Sequence, residues 1–274
     1  MIRAAFRNEM RKMWKRPATW VTLGLFGLVT LGNFLQEYRR ARRNPEEPFS
    51  LPTAWGHILG DDVVVGFVFA AVLLILLVAS EFSWRTARQS VIDGVSKTQW
   101  YVAKLLLVPT LAGLFLLFRA AAGGGLALAG TEFPSHASLF GTAQLGALGG
   151  LFLAGLGYAS LALFVATAIR VSGPAMAVWF AWFAFGERLL AGGLGSLAEG
   201  LRPALGWLPI GTFARLTDYL LYDPTTFREA VARAAELERP PPELAPLGPA
   251  ILGSCLWITA LSVTGWLWYR RRDL

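Results

Sequence analysis

Six long apolar runs constrain this chain more than any other feature: residues 18–35, 63–79, 105–129, 142–169, 174–190 and 247–269. A helix needs about 20 apolar residues, within a range of about 17–25, to cross the hydrocarbon core. Only helices and closed barrels satisfy every backbone group inside lipid. Barrel strands alternate over about 10 residues, and these runs are longer and continuous. The expectation is an all-α polytopic membrane protein with six transmembrane helices in a single domain, residues 1–274. Composition agrees: 55% of residues are hydrophobic and only 16% are charged, against about 25% charged in soluble domains.

The net charge is +7, and its distribution sets the orientation. Bases cluster at Arg3, Arg7, Arg11, Lys12, Lys15 and Arg16, at Arg85, Arg88, Lys97 and Lys104, at Arg170, and at Arg270, Arg271 and Arg272. Six spans put all four groups on one side, the cytoplasm by the positive-inside rule, with both termini there. Arg39, Arg40, Arg42 and Arg43 disagree. They fall outside, beside Glu37, Glu46, Glu47, Asp61 and Asp62, which offset them. Bases at span ends point to a membrane surface, and no nucleic-acid-binding motif is present. The first run leads into Gln36-Glu37-Tyr38-Arg39-Arg40 rather than a small-residue cleavage site, so the first helix is expected to be retained.

Residues 1–17 read as an amphipathic helix on the lipid interface, with Ile2, Phe6, Met10, Met13 and Trp14 on one face and Arg3, Arg7, Arg11 and Lys15 on the other. A disordered basic tail is the alternative. Residues 191–246 form an extracytoplasmic connection whose apolar pieces are too short to cross, so a re-entrant or interfacial segment is expected there. Within it, residues 225–238 read as a helix, with Asp223-Pro224-Thr225 as its start signal and Pro240-Pro241-Pro242 beyond its end. In the fourth run, Gly146, Gly149, Gly150, Ala154, Gly155 and Gly157 permit close helix approach, inside the subunit or on a dimer face. His57, His136 and the single cysteine, Cys255, show no metal-ligand spacing, and no catalytic motif is present. Asp61 and Asp62 mark the start of the second span, with cation binding as the alternative.

The most informative stretch is the loop 81–104. It contains Glu81, then Thr86 and Arg88, a Gly94-Val95-Ser96-Lys97 turn, and Lys104 before the third span. It resembles the cytoplasmic loop in permeases of the type-2 ABC exporter family: a Glu closing span two, a Thr-x-Arg pair, a Gly/Pro-x-Ser-Arg/Lys turn, and a Lys before span three. The family usually has Gly where this chain has Arg85. The motif covers about 25 residues. The basic N-terminal helix, six spans and long outer connection match the family in layout.

That resemblance implies a membrane-spanning subunit that is not itself an enzyme. It implies a separate ATP-binding cassette subunit carrying ATP and Mg, a second permease subunit, identical or not, and a bacterial cytoplasmic membrane. Residues 86–94 would form a short, stiff coupling helix, with Glu81, Arg85, Thr86, Arg88, Gly94, Ser96, Lys97 and Lys104 as the residues of the partner-coupling loop. On charge alone, these bases need only satisfy the positive-inside rule. The chain carries no ATP site of its own, because Ser96-Lys97-Thr98 lacks the glycine that precedes the Walker lysine and follows no strand. No cofactor is expected in this chain. The cargo is open among a lipid-like molecule, a peptide, a drug and a polysaccharide.

Two charges fall inside the runs. Arg119 and Glu187 each lie roughly 20 Å into the membrane at 1.5 Å per residue. They form an ion pair or line a polar path, or each reaches back to the outer interface. Two other classes compete with the exporter reading: an intramembrane enzyme, and an ATP-independent channel or membrane anchor of a larger assembly.

Overall fold

The computed structural model describes residues 2–43, 49–60, 62–130, 139–198, 200, 202–242 and 246–272. Glu46, Glu47, Asp61 and His136 lie outside them. The described residues are helical, with turns and short irregular links and no strand. Five stretches are long and apolar enough to cross a membrane: Pro17–Arg43, Trp55–Ser83, Lys97–Ala129, Thr142–Ile169 and Leu247–Arg271. The chain is therefore a multi-pass membrane protein by the length and composition of its helices.

Helix α1, Ile2–Lys15, meets α2, Pro17–Arg43, at Arg16. Pro17 opens α2, the position where a missing N–H costs least. Helix α2 runs past the apolar stretch through its four arginines, ending two turns beyond the expected boundary. A short helix α3, Trp55–Leu59, precedes α4, Val63–Ser83. Then come α5, Thr86–Ile92, α6, Lys97–Leu105, and α7, Leu107–Ala129. Residues 97–104, expected in the loop, are instead the first turns of the third long stretch. The cause is a capping box: Ser96 Oγ accepts from the Gln99 amide at 3.2 Å, and Gln99 Oε1 accepts from the Ser96 amide at 3.1 Å.

Helix α8, Thr142–Ile169, ends where its pattern predicts and is the hub of the fold. It packs on α4, on α7, and on α14, Leu247–Arg271. Its glycines explain how. A methyl group at Gly155 would come within 2.8 Å of the Phe67 ring, and one at Gly157 within 2.5 Å of the Phe213 ring. Gly150 lies under Tyr222, whereas a Cβ at Gly149 would meet nothing within 4 Å. These glycines admit aromatic rings of the same chain, which settles three of them as intramolecular packing sites.

The fifth apolar run departs from expectation. In place of one plain helix over 174–190, α9, Ser172–Ala181, passes through a π-helical turn, Trp182–Gly186, into α10, Glu187–Leu197. The widened turn coincides with a local bond, Trp182 Nε1 donating to Glu187 Oε1 at 3.1 Å. Single π turns inside α-helices often mark functional positions.

In the outer connection, α11, Arg202–Leu205, leads to α12, Pro209–Ala214, which packs between α8 and α14. Phe213 of α12 is fully buried beside Gly157. Helix α13, Pro224–Glu236, starts at Asp223 as expected, with Asp223 Oδ1 accepting from the Thr225 amide at 3.0 Å. Hydrogen bonds from Thr225, Thr226 and Tyr219 outweigh partial burial and hold the Asp223 carboxyl below its ordinary pKa.

Gly157→Ala should therefore lower stability by about 1–3 kcal/mol, the usual range for overpacking. Gly149→Ala should be neutral or slightly stabilising, because alanine is the better helix former. Thermal unfolding of the two variants in detergent compares them directly.

Candidate functional site

At the basic end of the bundle, five charged side chains from three helices and one helix junction meet. Glu9 and Lys12 come from α1, Arg16 from the α1–α2 junction, Glu81 from the end of α4, and Lys104 from α6. Lys12 Nζ donates to Glu9 Oε1 at 2.8 Å and to Glu81 Oε1 at 3.0 Å. Lys104 Nζ pairs with Glu81 Oε1 at 2.8 Å and with Glu9 Oε2. Trp100 Nε1 donates to Glu81 Oε2 at 3.1 Å. Arg16 Nη2 stands 3.7 Å from Glu81 Oε1, while Arg16 Nη1 donates to Ser80 Oγ at 2.7 Å and to the Leu77 carbonyl at 3.1 Å. Glu81 is 1% exposed and Lys104 is 0% exposed. Two carboxylates stand against three cations, an excess of one positive charge, and each buried charge touches an opposite one, which is what makes such burial tolerable.

The helix period brings this about. Glu9, Lys12, Met13 and Arg16 recur at three- and four-residue steps along one face of α1. That face is turned into the protein, with Met13 fully buried and Glu9 7% exposed. The residues expected to form the apolar face are less uniform: Phe6 and Met10 are half-buried, while Ile2 and Trp14 are exposed. Helix α1 is thus amphipathic as predicted, and one side of it is bolted to the bundle by charge.

The structure separates the loop residues into two groups. Glu81 and Lys104 face inward and hold each other, so neither is available to a partner chain. Thr86 Oγ1 donates to the Glu81 carbonyl at 3.3 Å. Gly94 has φ +93, a conformation that favours glycine. Ser96 caps α6. Lys97 Nζ donates to the carbonyls of Arg270 at 3.4 Å and Arg272 at 3.0 Å, fastening the loop to the end of α14. Outward lie Arg85 and Arg88, with Trp84 66% and Ile92 67% exposed. Helix α5 is consequently a short projecting elbow. Between it and the bundle lies a cavity of about 330 Å³ lined by Phe82, Arg85, Ala87 and Arg88.

Arg119 and Glu187 do not pair. Arg119 Nε donates to the Ile58 carbonyl at 2.8 Å, Arg119 Nη2 donates to the His57 carbonyl at 3.1 Å, and its guanidinium sits 5.0 Å over the Phe34 ring. It borders a polar cavity of about 340 Å³ with Asn33, Gln36, Glu37, His57 and Asp62. Glu187 accepts from the amides of Ile210 at 2.7 Å and Gly211 at 2.8 Å. Its role is to join α10 to α12. Backbone groups 23 and 24 residues away satisfy this carboxylate, a partnership invisible to reasoning about charges alone.

Sequence reasoning missed Glu9, Lys12 and Arg16 as members of the site, together with Trp100. One signal was present: Glu9 is the sole acid in a helix otherwise rich in bases, and it lies beside Met10 and one turn from Met13. Among the described residues, no group of three or more His, Cys, Asp or Glu side chains is placed to hold a metal ion.

Glu81→Ala should destabilise the protein by about 3–5 kcal/mol, since it leaves the buried Lys104 with only one of its two carboxylates and leaves Trp100 Nε1 without its acceptor. Thermal or denaturant unfolding in detergent reads this, and a loss below about 1 kcal/mol would contradict the knot. The pH dependence has a definite sign. Burial disfavours the Lys12 ammonium, but Glu81 and Glu9 outweigh burial and raise its pKa above the ordinary 10.5. Its contribution to stability is therefore complete below that value and is lost as pH rises through the higher folded pKa. The melting temperature of the wild type should fall more steeply above about pH 10.5 than that of Lys12→Met. No protein-family model matches this chain, and no curated protein matches it.

Proposed function

We propose that this protein is a permease subunit of a type-2 ABC exporter in a bacterial cytoplasmic membrane, with both termini in the cytoplasm. The observation that carries this reading is the elbow, a short exposed helix rooted by buried ion pairs in two long membrane helices and in α1. A soluble ATPase must push on something stiff, and α5 is stiff because its roots are fixed. Trp84, Arg85, Thr86, Arg88 and Ile92 are the exposed contacts offered to that partner, and aromatic and arginine side chains dominate such contacts. Glu81, Ser96, Lys97 and Lys104 transmit the load, and Gly94 shapes the turn.

Two features support six crossings. The stretch from Ser172 to Leu197 is helical throughout, with the π turn in its middle, and its 26 residues suffice to span. The four basic ends also meet. The elbow is tied to the end of α14 through Lys97, Arg272 Nη1 donates to the Ala168 carbonyl at 3.3 Å, and Arg170 lies 5.1 Å over Phe82. An even number of spans brings all of these to one face. Helix α12, buried against the middle of α8, is read as the re-entrant piece of the outer connection. Two permease copies and two ATP-binding subunits, with ATP and Mg on the latter, complete the transporter.

Co-purification tests the reading. The full chain, expressed with the Walker-type ATPase encoded beside it, should retain that ATPase through affinity purification. Trp84→Ser with Ile92→Ser should weaken the association by about tenfold or more, the scale of a central contact. Absence of any bound ATPase, or indifference to both substitutions, would remove the support for an exporter and favour a channel or anchor.

A further inference from the structure

The cavity at the elbow is lined by two arginines that no acidic side chain of the described residues engages. Its walls are Phe82, Arg85, Ala87 and Arg88. Arg85 and Arg88 are exposed, and among the described residues neither forms an ion pair or side-chain hydrogen bond. The nearby acids are committed: Glu81 is held by Lys12, Lys104 and Trp100, and Asp93 Oδ1 accepts from Gln89 at 2.9 Å. A third guanidinium, Arg170, covers the Phe82 ring from 5.1 Å. Burial, with a smaller contribution from the nearby Arg272, holds the Arg170 pKa below its ordinary value. Arg85 also has φ +57, a left-handed backbone that glycine would adopt with less strain. Strain of that kind is retained where a side chain has a task.

We propose that this cavity binds the phosphate of an anionic lipid headgroup, with Arg85 and Arg88 as its ligands. A lipid fits better than a free anion, because the arginines are flanked by the exposed side chains of Trp84 and Ile92. Apolar and aromatic groups beside guanidinium suit the level where headgroups meet acyl chains. Basic segments at the inner leaflet attract anionic lipids in any case. Here two arginines line one half-open cavity, so the contact is expected to saturate at a defined stoichiometry. The inference rests on the membrane reading and on a cytoplasmic elbow; it uses the side chains assigned above to the ATPase, so the lipid occupies the elbow only when no ATPase is docked there.

The test uses the purified full chain in detergent, titrated with phosphatidylglycerol, phosphatidylcholine or inorganic phosphate, with bound molecules counted by native mass spectrometry. Phosphatidylglycerol should bind saturably, and Arg85→Gly/Arg88→Gln should weaken that binding by about tenfold, as the loss of two surface arginine contacts implies. Arg7→Gln/Arg11→Gln removes the same charge from the exposed side of α1 and should leave the saturable binding intact. Arg85→Gly relieves the positive φ, so its melting temperature without lipid should equal or exceed the wild type. Arg88→Gln alone should still weaken binding if the double variant folds poorly. Equal loss in both double variants, equal binding of phosphatidylglycerol and phosphatidylcholine, or displacement by millimolar inorganic phosphate would each overturn the proposal.

Discussion

The buried contact of Lys104 with Glu9 and Glu81 is the constraint on which the basic end of this protein depends. A fully buried ammonium in a membrane helix is unstable alone, and so is a carboxylate that is 1% exposed. Together with Lys12 and Arg16 they give every buried charge an opposite partner. The consequence is geometric: α1 cannot drift along the lipid surface, and α4 and α6 cannot splay, without stranding a charge.

That constraint turns a sequence of flexible links into a lever. Helix α5 has only seven residues and would be marginal in isolation. It is held by the knot at both of its roots, by the Ser96–Gln99 capping box, and by Lys97 on the last carbonyls of α14. Motion of the elbow must therefore move α4 and α6 as one body, and α1 with them. Further along the bundle, Glu187 joins α10 to α12, while α12 buries Phe213 against the middle of α8. The bundle has two fastenings, one ionic and one in which a carboxylate takes backbone amides.

Much of this was legible in the sequence because membrane burial leaves a one-dimensional trace. The run at 142–169 matches its helix at both boundaries, the amphipathic period of α1 is real, and Asp223 caps α13 as its type and position suggest. The Gly94-Val95-Ser96 turn was also readable, since a positive φ and an N-cap each demand a particular residue type. What could not be read depends on contacts across the chain. Glu9 and Lys104 are 95 positions apart, and no local rule pairs them. Glu81 and Lys104 looked like surface charges because they stand at the ends of apolar runs, yet a third element covers them. Arg119 and Glu187 were open to pairing, to lining a polar path or to reaching the outer interface; distant backbone groups bond to both, and the Trp182 indole also donates to Glu187. The π turn has no compositional signature in Trp182–Gly186, and the strain at Arg85 is a property of the backbone alone.

Hydrogen exchange measured in the wild type and in Glu9→Gln tests the central claim most directly. Glu9 lies on α1, whereas Lys104 lies on α6, so the variant alters one helix covalently and the other only through the knot. The account predicts that exchange accelerates in α1 and in residues 97–105 together, with the elbow following. Faster exchange confined to α1, with α6 fully protected, would show that the ion pairs do not bind these elements into one body.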